Sequence, residues 1–415
     1  MNDKTRQLLL EQVDADKDEL LSFLSDFVRA KSPNPPGDTR DAAAHVRARL
    51  EAEGIDVRTI DPRPEFPNLV ASFEGPAAGK HLVLNGHIDV FPVLDSETWR
   101  YGPWTGELAE GKLWGRGACD MKCGTTCSVF TFIYLHRLRD QLKGRLTLTA
   151  VSDEETFGPW GARYLMEHHP EVHGDCCLNA EPSSPLTIRF AEKGPLWLRF
   201  TVRTNGGHAA YTHTSESATK IGAQLVADLE TLTDLDTPAP GNVGPLITRH
   251  SEDTNRALGE GAADIVQKLT VNIGTFNGGV KVNMIPSECV IEADIRFPIG
   301  VEQSTVMERI GEILQAYPQV SMEELLFNPP NWCSPEHEMM DILKSNVEAL
   351  RGFRPAPVSS LGGTDARLWR YQDIPALVYG PYPSGMGSAD EHVDVEDFFH
   401  VLRTHLLSAY DYLSG

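Results

Sequence analysis

Apolar residues recur at three- and four-residue spacing near the start of the chain. Leu21, Leu24 and Val28 share one face and predict a helix over 15–30. Ser32-Pro33-Asn34-Pro35-Pro36-Gly37 ends it, because proline lacks the amide hydrogen a continuing helix needs. A second helix is predicted over 39–54, with Thr39 as its N-cap and Gly54 just past its end. Apolar runs at 68–73 and 81–85 read as strands, and His87 and Asp89 fall just beyond the second. An apolar helix over 124–140 leads to a β-branched strand at 144–151, followed by Asp153-Glu154-Glu155. A short strand at 176–179 is followed by Glu181.

The pattern changes after about Ala191. Strands are predicted at 195–203, 268–277, 288–297 and 321–326, with helices over 217–232 and 302–317. That order fits a small α+β sandwich with antiparallel strands. The proline- and glycine-rich stretch 236–261 reads as a surface excursion, and Asn328-Pro329-Pro330-Asn331 as a linker. The chain then supplies Gly362-Gly363-Thr364-Asp365, a strand at 376–380 and a last helix with Asp394 as N-cap. The fold class expected is α/β: a catalytic domain with a central mixed sheet flanked by helices, plus an inserted smaller α+β sandwich. The catalytic domain is discontinuous, 1–191 with 329–415, and the insertion covers 192–328.

Length agrees with two domains, since 415 residues are many for one core. A net charge of −22 repels phosphate backbones and argues against nucleic-acid partners. The polar start of the chain has no signal-type apolar core, and no apolar run is long enough to span a bilayer. A cytoplasmic protein without membrane partners is expected. Seven cysteines at no framework spacing read as reduced, partly buried thiols, Cys119 and Cys123 beside Asp120 included. The aromatic stretch Trp99 to Trp114 reads first as a loop held by hydrophobic anchors, and second as a stacking surface for a ligand.

The candidate chemistry lies where strands end. Ligands of α/β sheets bind beyond the carboxyl ends of strands, and three predicted strands finish at metal-type residues. Gly115-Arg116-Gly117-Ala118-Cys119-Asp120 and Asp390-Glu391-His392 supply further donors. Together these make a set for two divalent ions sharing one carboxylate. Asp120 is read as the bridge, because the glycines before it let the backbone approach closely. His87 and Glu181 complete one site, Glu155 and His392 the other. Asp89 is placed to accept the far imidazole N–H of His87. Glu154 remains as the general base and acid. Two further motifs fail: Gly75 to Lys80 is one residue short of a phosphate loop, and His337-Glu338 meets Asp341 where a zincin helix needs histidine.

With these motifs in hand, nearly the whole chain resembles the co-catalytic zinc aminoacylase and carboxypeptidase family of metallopeptidases, which includes carboxypeptidase G, succinyl-diaminopimelate desuccinylase and acetylornithine deacetylase. Gly86-His87-Ile88-Asp89-Val90, Gly115-Arg116-Gly117 with Asp120-Met121-Lys122, Asp153-Glu154-Glu155, Glu181-Pro182 and Glu391-His392 carry the resemblance. It implies a cis peptide after Asp120 and a lid histidine at His208 that reaches the partner's active site, with His213 as the competing candidate. It also implies substrate contacts from Asn283, Arg296, Gly362 and Gly363, and a homodimer formed through the inserted lid domain. Asp390 departs from the Asn or Gly common in the family, without touching a catalytic role.

The expectation is a dinuclear-metal amidohydrolase. It would cleave the amide C–N bond of an N-acyl amino acid, a dipeptide or a similar small substrate through a metal-activated water. Two zinc ions are expected, with manganese or cobalt accepted by the same donors. Hydrolytic deamination of a non-peptide, for instance aromatic, amine and a catalytically silent binding protein are the competing readings.

Overall fold

The structure, a computed structural model, describes residues 2–94, 96 and 98–415. The chain forms two compact units. Residues 1–190, 333–358 and 364–415 make the first, and 191–332 with 359–363 the second.

A mixed sheet organises the first unit. Its strands run in the order Arg58–Ile60, Asn68–Glu74, Lys143–Val151, Ala77–His87, Cys176–Asn179, Ala376–Val378 and Thr187–Glu192. The four central strands are mutually parallel, and the outer pairings are antiparallel. Buried parallel strands have both faces covered: Leu82 to Leu84 form a continuous apolar run, and in Leu146 to Val151 the threonines that alternate with leucine, Thr147 and Thr149, are buried too. Helix Lys122–Arg137 packs on the central strand, with Val395–Ser414 against it and Glu338–Arg351 beyond. Its approach to the sheet depends on glycine: a Cβ on Gly124 would lie 2.2 Å from the carbonyl oxygen of Ala180.

The second unit has a four-stranded antiparallel sheet in the order Thr270–Gly278, Glu288–Phe297, Gly194–Arg203, Val320–Phe327. Alternation is clear here. Leu196, Leu198, Phe200 and Val202 pack with Ile291, Ala293 and Ile295 beneath helices Ala218–Leu229 and Gln303–Leu314. A short ribbon pairs Gly207–His208 with Met284–Ile285.

Local chemistry departs from the sequence expectations in several places. The strand Ala77–His87 continues through His87, so this residue ends the strand instead of following it. Thr39 does not cap helix Arg40–Ala52. Its hydroxyl is buried against Ser152 Oγ at 2.7 Å, a tertiary partner that displaces the local one. Asp394 likewise precedes Val395–Ser414 without a side-chain cap. The stretch 236–261 contains helices Val243–Arg249 and Ser251–Leu258, which bury Val243, Ile247 and Ala257. The aromatic stretch ends in a hairpin, Glu107–Ala109 with Lys112–Trp114, to which His392–Asp394 adds a third strand. No described helix is long and apolar enough to cross a membrane.

Candidate metal centre

Register brings the predicted residues to one edge of the first unit's sheet. His87 pairs with Val151 and Asn85 with Asn179, so three parallel strands stop at nearly the same level. The segments leaving these strands, His87 to Asp89, Asp153 to Glu155, and Glu181, therefore meet one another. A buried polar chain ties the ends together. Asn179 Nδ2 donates to Asn85 Oδ1 at 2.9 Å, and Glu181 N donates to Asn179 Oδ1 at 2.8 Å.

The Gly115-to-Asp120 turn reaches the same edge. Gly117 has φ 80°, and a Cβ there would meet Val90 Cγ1 at 2.3 Å, so only glycine lets the turn lie this close. Glu391 fixes the turn from the other side. Its Oε1 accepts from the backbone N–H groups of Cys119 and Asp120, both at 3.0 Å, and its Oε2 meets Arg116 Nη1 at 2.7 Å. The Asp120–Met121 peptide is cis.

Three predicted ligands converge. His87 Nε2 lies 3.2 Å from Asp120 Oδ1 and 3.2 Å from Glu181 Oε1. The tautomer follows from the other ring nitrogen. Nδ1 lies 2.9 Å from the main-chain oxygen of Asp89, which can only accept, so Nδ1 carries a proton and Nε2 turns to the carboxylates. The Asp89 carboxylate, at 3.5 Å from Nδ1, is the more distant partner of the ring. Glu155 has Oε1 buried without a hydrogen-bond partner. The structure does not gather His392 with that trio. Its Nδ1 donates to Asp390 O at 2.8 Å, Nε2 lies 2.9 Å from Lys112 Nζ, and the ring packs 4.4 Å from that of Trp114.

Electrostatics test whether this set suits a cation. Burial, followed by Asp120, pushes Glu181 up to about 8. The same two causes raise Glu155 well above the carboxylate range. Burial lowers the His87 imidazole, but Glu181, Asp120 and Asp89 carry it well above its ordinary range. So many buried carboxyls around one imidazole, one oxygen of them unpartnered, is an arrangement that a divalent cation satisfies. His87, Asp120 and Glu181 offer donor atoms within 4.8 Å of one another.

Glu154 stands beside this cluster and is held at both ends. Its backbone N–H donates to Asp89 Oδ1 at 3.3 Å, and its Oε1 accepts from Arg367 Nη1 at 3.1 Å. Burial, then the neighbouring Asp365, raises its carboxyl well above the ordinary range, against the pull of Arg367. Asp89 also accepts from Glu155 N at 3.1 Å and from Asn34 Nδ2 at 2.9 Å. Burial would raise its carboxyl, but His87, Asn34 and Glu155 hold it below the usual value.

The remaining predicted residues lie in the second unit. His208 is exposed, with Nδ1 accepting from Ala210 N at 3.2 Å. Asn283 is beside it, its carbonyl accepting from Ala209 N at 3.0 Å. Arg296 pairs with Asp294 at 2.8 Å. Gly362 and Gly363 follow the strand Ala356–Ser360, and a Cβ on Gly362 would meet open space. His213 lines a polar cleft of about 870 Å³ together with Arg203, Glu216, Lys220 and Gln319.

Comparison with known proteins decides the family. Residues 83–410 match Peptidase family M20/M25/M40. This chain belongs to that family. Among its relatives is the succinyl-diaminopimelate desuccinylase of Cereibacter sphaeroides, 28% identical over 414 residues, covering 95% of this chain and 99% of the relative. The M20 metallo-carboxypeptidase Sso-CP2 of Sulfolobus solfataricus shares the fold, with TM-score 0.82, 18% identity, and coverage of 94% of this chain and 99% of that one. The Bacillus subtilis YXEP protein, a dinuclear metal binding peptidase, aligns with TM-score 0.67 and 15% identity over 96% of this chain and 99% of its own.

The chain is thus a metal-dependent hydrolase of amide bonds in small substrates. Several residues that shape the centre of this M20-family member escape sequence reasoning. Asn34 reads there only as part of a helix-ending loop, yet its Nδ2 bridges Asp89 and Asp153, the latter at 3.0 Å. Glu391 stands in its motif without a role. Trp114 belongs to the aromatic stretch, and nothing in the sequence places its ring on His392. Arg367 follows Thr364 by three positions, and that proximity is the only available signal. The seven cysteines are all buried, and Cys119 Sγ donates to Tyr382 O at 3.2 Å.

Proposed function

We propose that this hydrolase cleaves the amide of an N-acyl amino acid or a dipeptide, with Glu154 carrying the proton. The observation that bears most weight is a buried glutamate, held through its backbone N–H by Asp89 and through Oε1 by Arg367, beside the His87–Asp120–Glu181 cluster. In this reading His87 and Glu181 would hold one divalent ion and Glu155 and His392 a second, with Asp120 available to both. Zinc suits this mixture of imidazole and carboxylate donors, and manganese or cobalt would be accepted. Such ions, when bound, acidify a water and polarise the scissile carbonyl. The protein does the rest. Glu154 takes a proton from the attacking water and returns it to the departing amine as the C–N bond breaks. Asp89 fixes the backbone under Glu154 and Glu155 and backs the His87 ring.

The second unit is read as the lid, with His208 reaching the active site of a second copy and stabilising the carbonyl oxygen there as it gains charge, and with Asn283, Arg296, Gly362 and Gly363 as the residues that would meet substrate. The backbone pairing that sets Asn283 beside His208 supports this, whereas the Asp294 pair of Arg296 must open or share for it to serve. A cytoplasmic homodimer is the corresponding expectation.

The test is a hydrolysis panel with metal-loaded protein, covering N-acetyl, N-succinyl and N-aroyl amino acids, dipeptides and aryl amines. One amide class should turn over. Glu154→Ala should lose about 10²–10⁴-fold in kcat while keeping its metal. Ammonia from an aryl amine, with all amides untouched, would overturn the reading.

A further inference from the structure

Glu154 has a partner that proton transfer alone leaves unexplained. Arg367 is 2% exposed and Glu154 7%, and they meet through Nη1 and Oε1 at 3.1 Å. Buried ion pairs are poor devices for stability, since desolvation offsets most of their attraction. One set against a reactive carboxylate calls for another explanation.

Its surroundings provide one. The guanidinium lies 4.6 Å from the ring centroid of Phe157, which serves as a platform. Phe157 is in the left-handed region at φ 51°, and its N–H donates to Glu154 O at 2.7 Å. Asp153, on the other side of Glu154, is also left-handed at φ 64°. Its carboxylate accepts from Asn34, from Thr156 Oγ1 at 2.8 Å and from Trp160 N at 3.1 Å. Such conformations in non-glycine residues persist only where surrounding contacts impose them. The same tight turn thus carries Glu154 and the platform for its partner. Arg367 is equally anchored, on the short helix Ala366–Arg370. There Trp369 Nε1 donates to Val172 O at 3.2 Å and Arg370 Nε to Ala376 O at 2.9 Å. Asp365 Oδ1 lies 3.8 Å from Arg367 Nη1 and steadies the group from its own helix end.

We propose that Arg367 is a positioning residue for Glu154: carried on the Phe157 ring, it fixes Oε1 so that proton exchange runs through Oε2. The inference rests on Glu154 being the proton carrier. A glutamate side chain has three rotatable bonds, and a general base displaced by about 1 Å costs on the order of 10²-fold in rate. The contact is made to the carboxylate, so its loss acts on kcat. Substrate affinity and metal binding do not pass through it.

The experiment compares wild type, Arg367→Ala, Arg367→Lys and Glu154→Ala, all full-length and metal-loaded, on one turned-over amide from the panel. Metal content is measured for each. Arg367→Ala should lose about 30–100-fold in kcat, with KM within threefold and metal content unchanged. Added guanidinium chloride at low millimolar concentration should restore part of that loss, and should restore nothing to Glu154→Ala. Arg367→Lys, which keeps charge and one donor, should fall between wild type and Ala, and it decides the matter if the Ala variant does not fold. Wild-type kcat in the Arg367 variants, a loss confined to KM, or loss of metal would each overturn the positioning role. Full activity in Glu154→Ala would instead overturn the proton-carrier reading itself.

Discussion

His87 meets main chain on one ring nitrogen and two carboxylates on the other. That division sets the protonation of the whole cluster. Glu181 has an ordinary value of 4.5 and is pushed up to about 8. The folded, metal-free chain therefore keeps a proton that the unfolded chain has released at neutral pH. Stability from this group is fully present below 4.5 and is lost as pH rises through about 8. The raised imidazole of His87 acts in the same direction. Thermal melts of chelator-treated wild type and Glu181→Gln check this. The wild-type advantage over the variant should shrink by a few degrees from pH 5 to pH 8. An advantage that stays constant would contradict the assignment of the raised group. Metal binding displaces those protons, so the stabilisation by added metal should grow over the same range.

Parallel strands and one helix do the positioning at the next scale. The strand ends were legible in the sequence because doubly buried strands are apolar runs that stop where polar, acidic residues begin. Glu154, Glu155 and Glu181 could be placed from that alone. Asn34 and Arg367 could not, because their partners are far along the chain and no local pattern marks a side chain that bridges two loops. The cap expected of Thr39 failed for the same reason: Ser152 is a non-local partner for its hydroxyl. Gly124 offers a test of the helix–sheet approach. Gly→Ala inside a helix ordinarily stabilises by about 1 kcal/mol. Here the new Cβ would lie 2.2 Å from the Ala180 carbonyl oxygen, backbone that also carries Glu181. Overpacking should win, so Gly124→Ala should lose about 1–3 kcal/mol in urea unfolding. A stabilised variant would show that the helix stands off from the sheet.

At the scale of the molecule, a discontinuous unit carries the cluster and a second unit carries the other predicted substrate contacts. The first unit's site is assembled from both of its chain segments, since Glu391 and Arg367 come from the part beyond the second unit in sequence and clasp residues that precede it. The change in strand pattern after Ala191 is the signal from which an inserted second domain was expected. The helices within 236–261 were not, because proline and glycine content outweighed the spacing of Val243, Ile247 and Ala257. A net charge of −22 makes the buried cluster more demanding of cations, since the whole field favours them. The most direct measurement is a metal titration of the chelator-stripped protein, with amide hydrolysis followed at each addition. The stripped protein should show no turnover, and full rate should return by two equivalents of zinc per chain, as a dinuclear metal-dependent hydrolase requires. Undiminished hydrolysis in the stripped protein would contradict that requirement.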